Sequence, residues 1–275
     1  MKKLLLAIIA FSGAMACFAQ DSTVSDKADT IRIGGMVIIK KAGKNEGGKD
    51  NSNVSITRDS RRKSSNVSTN WWIVDLGFAN LNDKTNYSSA EAMAFAPGFD
   101  KDKLELKTTK SVNVNVWFFM QKLNMVKHVV NLKYGLGLEL NNYRFDNEQV
   151  RLTKNPTTIT LDPTLAGVKK NKLAADYITV PMMLNLNFTP GRNKGFGLSG
   201  GVSAGYLYSA RQKIKNNDNK SKVHDDFELR KWKLSYIGEL NLGPVKLYGS
   251  YALKSMWEKG LDQTPYNVGI RLSSW

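Results

Sequence analysis

Apolar and polar residues alternate along eight separate stretches of this chain. The clearest runs from 130 to 141. Val130, Leu132, Tyr134, Leu136, Leu138 and Leu140 fall on one parity, Asn131, Lys133, Gly135, Gly137, Glu139 and Asn141 on the other. A period of two puts the two sets on opposite faces of a β-strand. The same pattern sets Val112, Val114, Val116 and Phe118 against Asn113 and Asn115. It sets Ile178, Val180, Met182, Leu184, Leu186 and Phe188 against Thr179, Asn185 and Asn187. It recurs at 232–242 and 245–253. The alternation predicts strands at 70–80, 108–120, 129–144, 174–189, 195–212, 227–242, 245–256 and 265–275.

The connections at 121–128, 190–194 and 243–244 are short; those at 81–107, 145–173, 213–226 and 257–264 are longer. Short turns at one end and long loops at the other, with an even strand count, are the plan of a bacterial outer-membrane barrel. The fold class expected is all-β: an eight-stranded antiparallel up-and-down transmembrane β-barrel. The apolar parity then faces lipid and the polar parity lines the lumen. Strands three to six exceed the roughly 9 to 11 residues needed to cross, which predicts outer ends standing above the membrane. Trp71, Trp72, Trp117, Phe188, Phe196, Tyr208, Trp232, Trp257, Tyr266 and Trp275 collect near predicted strand ends, where interfacial girdles sit. In the last strand Tyr266, Val268, Ile270 and Leu272 form the lipid face. Terminal Trp275, a candidate assembly signal, is out of phase with them.

Residues 1–19 read as a secretory signal: Lys2 and Lys3 precede an apolar run from Leu4 to Phe11 that is too short to span a bilayer. Cleavage is expected before Gln20. Acylation at Cys17, the single cysteine, is the rival reading. Residues 20–69 are a leader rich in Asn, Ser, Lys, Gly and Asp, expected to be flexible and periplasmic. Within it Ile31-Arg32-Ile33 and Met36-Val37-Ile38-Ile39 have the character of a short strand. Residues 70–275 form the barrel. The 40 bases against 24 acids give a net charge of +16. Export argues against nucleic acid as the neighbour and for lipid phosphate.

On these placements the chain resembles the PorT-like outer-membrane β-barrel family of Bacteroidota. The resemblance covers nearly the whole chain. It rests on Asp29-Thr30-Ile31-Arg32-Ile33, Asn70-Trp71-Trp72, Gly135-Leu136-Gly137-Leu138-Glu139-Leu140-Asn141-Asn142-Tyr143 and Tyr177-Ile178-Thr179-Val180-Pro181-Met182-Met183-Leu184. The closing segment Tyr248-Gly249-Ser250-Tyr251 through Gly260-Leu261-Asp262-Gln263-Thr264-Pro265 also fits. The resemblance implies an eight-stranded barrel without an assigned enzyme activity.

The face alignment puts Asp75, Lys133, Glu139, Lys233, Glu239, Lys246, Lys254 and Arg271 in the lumen. An eight-stranded barrel is only just wide enough for side chains to fill, and buried charges must pair. The expected result is a rigid polar plug; a narrow pore favouring anions is the alternative, because bases outnumber acids. At the outer rim, Lys169, Lys170, Lys172, Arg211, Lys213 and Lys215, with Lys220 and Lys222 nearby, are candidates for lipid phosphate or for ordinary solvated loop charge. The apolar loop-one run Ala90, Met93, Ala94, Phe95, Ala96, Pro97 and Phe99 must either cap the mouth or meet another membrane protein. Catalysis has little to build on. The two histidines are His128 and His224, and adjacent strand residues face opposite ways, so His224 beside Asp225 is not a dyad. No metal cluster of recognised spacing and no phosphate loop occurs, and no cofactor is expected.

The sequence therefore predicts a non-enzymatic structural or interaction component of the outer membrane, with a narrow channel and a rim hydrolase or acyltransferase using His224 as alternatives. Its expected partners are outer-membrane lipid including lipopolysaccharide, the barrel-assembly machinery during insertion, and another outer-membrane or periplasmic protein.

Overall fold

The computed structural model describes residues 29–33, 36–40, 55–57, 65–190, 195–216 and 219–273, in two compact units, Met1–Lys63 and Ser64–Trp275. The expected signal peptide, most of the leader and Trp275 lie outside the described residues. In the first unit, strands β1 (Asp29–Ile33), β2 (Met36–Lys40) and β3 (Ser55–Thr57) form an antiparallel sheet in the order β1-β2-β3. Ile31 sits opposite Ile38, and Ile38 opposite Ile56.

The second unit carries β4 (Val67–Asp83), β5 (Val112–Val126), β6 (Val130–Arg144), β7 (Val150–Leu152), β8 (Ile159–Leu161), β9 (Lys170–Asn187), β10 (Phe196–Asn216), β11 (Asn219–His224), β12 (Trp232–Leu242), β13 (Lys246–Ala252) and β14 (Gln263–Leu272). The main sheet runs β11-β10-β12-β13-β14-β4-β5-β6-β9, and β9 pairs with β10 to close it. Strand β11 only extends β10, so eight antiparallel strands make the ring. Each of the eight strands is thus paired on both sides, as a bilayer requires. The seam joins β14 to β4 over ten register pairs, from Gln263↔Asp83 to Leu272↔Val74.

Burial alternates as the sequence pattern requires. On β9, Ile178, Val180, Met182, Leu184 and Leu186 are exposed while Thr179, Met183 and Asn185 are buried. The exposed residues form the apolar outer band. At the turn end, Trp71 stacks with Phe119 and Trp72 with Phe118, at ring centroid distances of 6.0 and 5.9 Å. Phe188 and Phe196 complete that belt, and Tyr206 with Trp232 (5.0 Å) marks the loop-end belt.

Four expectations need correction. Trp117 is buried, not in a girdle, because it shares parity with Asn113 and Asn115 and so points inward. Trp257 is also buried, in a core formed by the loops. Strand β12 begins at Trp232 rather than 227, because Phe227 and Glu228 have positive φ (51° and 55°) and turn the chain. The long strands are β4, β5, β6, β9 and β10, with 17, 15, 15, 18 and 21 residues; β12 has only 11.

The interior has two storeys. Toward the loop end it is a packed apolar core. Helix α1 (Ala90–Phe95), capped by the Ser89 side chain on the Ala92 amide, brings Phe95 onto Trp257 at 5.4 Å. Phe99, Leu104 and Leu106 join Tyr143, Phe145, Leu173, Tyr177, Phe227 and Leu229 there. Loop one thus closes the barrel mouth. It is tethered by the Tyr87 hydroxyl, which donates to Asp83 Oδ2 at 2.6 Å. Burial and that carboxylate hold the Tyr87 phenol well above its ordinary pKa. Loop two folds its hairpin β7–β8 into the same core through Val150, Leu152 and Ile159. Gln212 holds the hairpin as a strand edge would: Oε1 accepts from the Leu152 amide at 3.0 Å and Nε2 donates to the Val150 carbonyl at 2.9 Å. Below this core the interior is polar.

Candidate functional site

The polar storey is built where strands present one parity inward. Arg271 on β14 donates Nε to Asp75 Oδ1 at 2.7 Å and Nη2 to Asp75 Oδ2 at 2.8 Å. Its third nitrogen, Nη1, reaches Glu239 Oε2 on β12. Glu239 Oε1 accepts from Lys133 on β6. On the other side, Glu139 accepts from Lys233, from Asn141 Nδ2 at 3.1 Å and from Asn267 Nδ2 at 3.1 Å. Asparagines join the two halves. Asn113 Nδ2 donates to Asn141 Oδ1 at 2.9 Å, and Asn115 Nδ2 to Asp75 Oδ2 at 3.2 Å. Trp117 Nε1 donates to the same Asp75 oxygen at 2.7 Å. The Tyr248 hydroxyl donates to Asn113 Oδ1. Lys233 also lies over the Tyr177 ring, 4.7 Å from its centroid.

Two glycine sites make room for these aromatic rings. A Cβ on Gly137 would fall 2.7 Å from Trp117 Cε3 and 2.5 Å from the Val116 carbonyl. Gly77 and Gly269, paired across the seam, form the floor under Tyr248: a Cβ on Gly77 would lie 2.5 Å from its hydroxyl. Small residues on the inner face are therefore space for particular neighbours.

Asp75, Lys133, Glu139, Lys233, Glu239, Lys246 and Arg271 are all buried inside the ring. Lys254 is not: β13 ends at Ala252, the alternation stops there, and the side chain is exposed. Without it the excess of bases falls to one. That base, Lys246, bonds Ser273 near the turn end. Trp117, Tyr248, Asn113, Asn115, Asn141 and Asn267 also belong to the network, beyond the charged residues that the face alignment names. Parity alone would have found the three asparagines on β5 and β6, and Trp117. The open space in the midst of the network is about 30 Å³, lined by Asn115, Trp117, Glu139, Thr179 and Arg271 among others. That is room for about one water.

Where β12–β13 pairing stops at Ser235↔Ala252, a cleft of about 310 Å³ opens beside Tyr177, Trp232, Lys233, Lys254 and Met256. Its lining joins exposed Trp232 and Lys254 to the buried Tyr177, Lys233 and Met256. His224 ends β11 opposite Arg211 and is exposed. Its carbonyl accepts from Lys154 Nζ, and Asp225 faces that same lysine at 3.8 Å. A surface pocket of about 350 Å³ gathers His224, Asp225 and Asp226 with Tyr208 and Ser209. Among the described residues no group of three or more His, Cys, Asp or Glu side chains is placed to hold a metal ion.

The rim bases lie on the outward parity of the extended strands. Lys170 and Lys172 are half-buried on β9, and Lys213 and Lys215 on β10. Lys169 precedes β9, is exposed, and its carbonyl accepts from Arg144 Nη2. Arg211 differs from the rest, being paired with buried Asp176.

The family model for the outer membrane protein beta-barrel domain matches residues 72–256, which takes in strands β5 to β13 and most of β4. No curated protein matches the chain. Among solved structures, the crystal structure of Ail, the attachment invasion locus protein of Yersinia pestis, is similar at 10% identity, over 74% of this chain and 98% of that one, with a TM-score of 0.32. The closed ring of eight strands, its lipid-facing band and the family match over most of the barrel agree: this chain belongs to the outer membrane protein beta-barrel domain family.

Proposed function

We propose that the chain is a PorT-like, non-catalytic anchor or accessory subunit of the outer membrane. In this reading residues 1–19 are removed, the leader 20–69 stands in the periplasm, the barrel 70–275 is inserted by the barrel-assembly machinery, and the long loops face outward. The observation that carries it is the filled interior: a bonded charge network under an apolar core, with about 30 Å³ of open space between side chains. A filled and internally bonded interior favours a structural role over transport. What remains for function is the surface: the leader, the lipid-facing wall and the loop end.

The test is the native mass after mild detergent extraction from the protein's own membrane. A stable assembly heavier than one chain, with the same protein partners after tag exchange, supports an accessory subunit. A lone chain that hydrolyses lipid or peptide, with activity lost in His224→Ala, would overturn the proposal in favour of a rim enzyme.

A further inference from the structure

Strand register brings the rim bases into rows that the sequence does not display. Arg144 on β6 pairs with Lys172 on β9. Lys172 pairs with Lys213 on β10, and Lys213 with Lys222 on β11. Four bases on four adjacent strands therefore stand side by side on the outward face, across about 14 Å at the usual strand spacing. The next row holds Lys170, Lys215 and Lys220, again in register. Like charges directly opposite one another destabilise a sheet. Among the described residues, none of these seven has a carboxylate within 4.0 Å.

Elsewhere at the loop end the pattern is the reverse. Lys103 meets Asp100, Lys107 meets Asp146, Arg151 meets Asp162, Lys154 meets Asp225, and Lys259 meets Glu228. Arg211, just below the rows, is neutralised by Asp176. From 211 to 222 the sequence itself sets five bases against the single acid Asp218. The charge is thus concentrated on one side of the rim.

The height of the rows bears on what they could meet. The apolar outer face of β9 ends at Ile178, six residues from Lys172, which is about 20 Å of strand. At a barrel tilt of about 40° this is about 15 Å of height. On β6 the apolar face ends at Leu140, and Arg144 stands about 10 Å above it by the same reckoning. The interfacial zone of an ordinary bilayer is only about 5–8 Å thick on each side. The rows stand above it, where phosphates borne on a saccharide headgroup would lie.

We propose that Arg144, Lys172, Lys213 and Lys222, backed by Lys170, Lys215 and Lys220, form a docking face for the phosphate groups of an outer-leaflet glycolipid. Phosphate oxygens bridging neighbouring bases would replace like-charge repulsion with charge-assisted hydrogen bonds. The proposal rests on the reading of the chain as an outer-membrane barrel with its long loops outward.

The experiment uses the full chain, folded in detergent, with heat-modifiable migration as the check of the barrel. Binding is measured by native mass spectrometry with four probes: lipopolysaccharide, the same material treated with phosphatase, phosphatidylglycerol, and inorganic phosphate. The comparison is between a ladder variant (Arg144→Gln, Lys172→Gln, Lys213→Gln, Lys222→Gln) and a loop-one variant of equal charge loss (Lys101→Gln, Lys103→Gln, Lys107→Gln, Lys110→Gln). Binding of intact lipopolysaccharide should fall at least tenfold on phosphatase treatment and in the ladder variant, and hold in the loop-one variant. Equal losses in the two variants would reduce the effect to net charge and overturn the proposal. So would unchanged binding in the ladder variant, or equal retention of phosphatidylglycerol or inorganic phosphate. A wild-type chain without a heat-shifted band would instead bring down the barrel reading itself.

Discussion

Arg271 and Asp75 sit directly opposite each other on the last and first strands of the ring, joined by two parallel hydrogen bonds of 2.7 and 2.8 Å. The pair spans the seam by which the barrel closes. Arginine suits this place because its planar fork meets both carboxylate oxygens and leaves Nη1 for Glu239.

Removing one partner strands a buried charge, which typically costs about 3–5 kcal/mol. Arg271→Met and Asp75→Asn should each lower the unfolding free energy of the vesicle-inserted barrel, obtained from the urea midpoint and slope, by an amount in that range. The double variant should recover part of the loss, since its residual cost lacks the unpaired ion. The check is tryptophan fluorescence during urea unfolding, read as a double-mutant cycle.

Gly137→Val should destabilise the same network through packing. Its side chain would enter the space of Trp117 and the Val116 carbonyl, and overpacking costs about 1–3 kcal/mol. Displacing Trp117 also removes the indole N–H from Asp75. The yield of heat-modifiable barrel on refolding measures this. Ala at 137 should give an intermediate yield.

Phe95→Ala tests the loop core separately from the wall. Phe95 packs on Trp257 and lies under Gly260. The truncation should cost about 3–5 kcal/mol of local packing and open loop one to protease while leaving the heat-modifiable barrel intact. Limited proteolysis, with the cut sites mapped between 84 and 110, reads this directly.

The wall was legible in the sequence because a period of two survives wherever a strand is flanked by lipid on one side and packed polar side chains on the other. The parity of Asn113 and Asn115 even foretold the inward turn of Trp117, although its position near a strand end suggested a girdle. Lys254 escapes the pattern because alternation carries no information past the last ladder pair, and β13 stops two residues earlier. The loop core was illegible for a different reason. Phe95, Val150, Phe227 and Trp257 come from four distant segments, and no local pattern announces their meeting. The rim bases were visible as a cluster. Their alignment was not, because it depends on the register of β6, β9, β10 and β11 and on a bulge between Leu207 and Ser209 that resets the parity of β10.

The central claim is that the interior is a solid plug, and ion conductance of the purified full chain in a planar bilayer tests it most directly. The account predicts a flat baseline for the wild type, at either polarity, in preparations shown by heat-modifiability to be folded. Stable, uniform current steps from that same material, with their size or ion preference altered by Lys133→Gln, would show a continuous path through the network and contradict it.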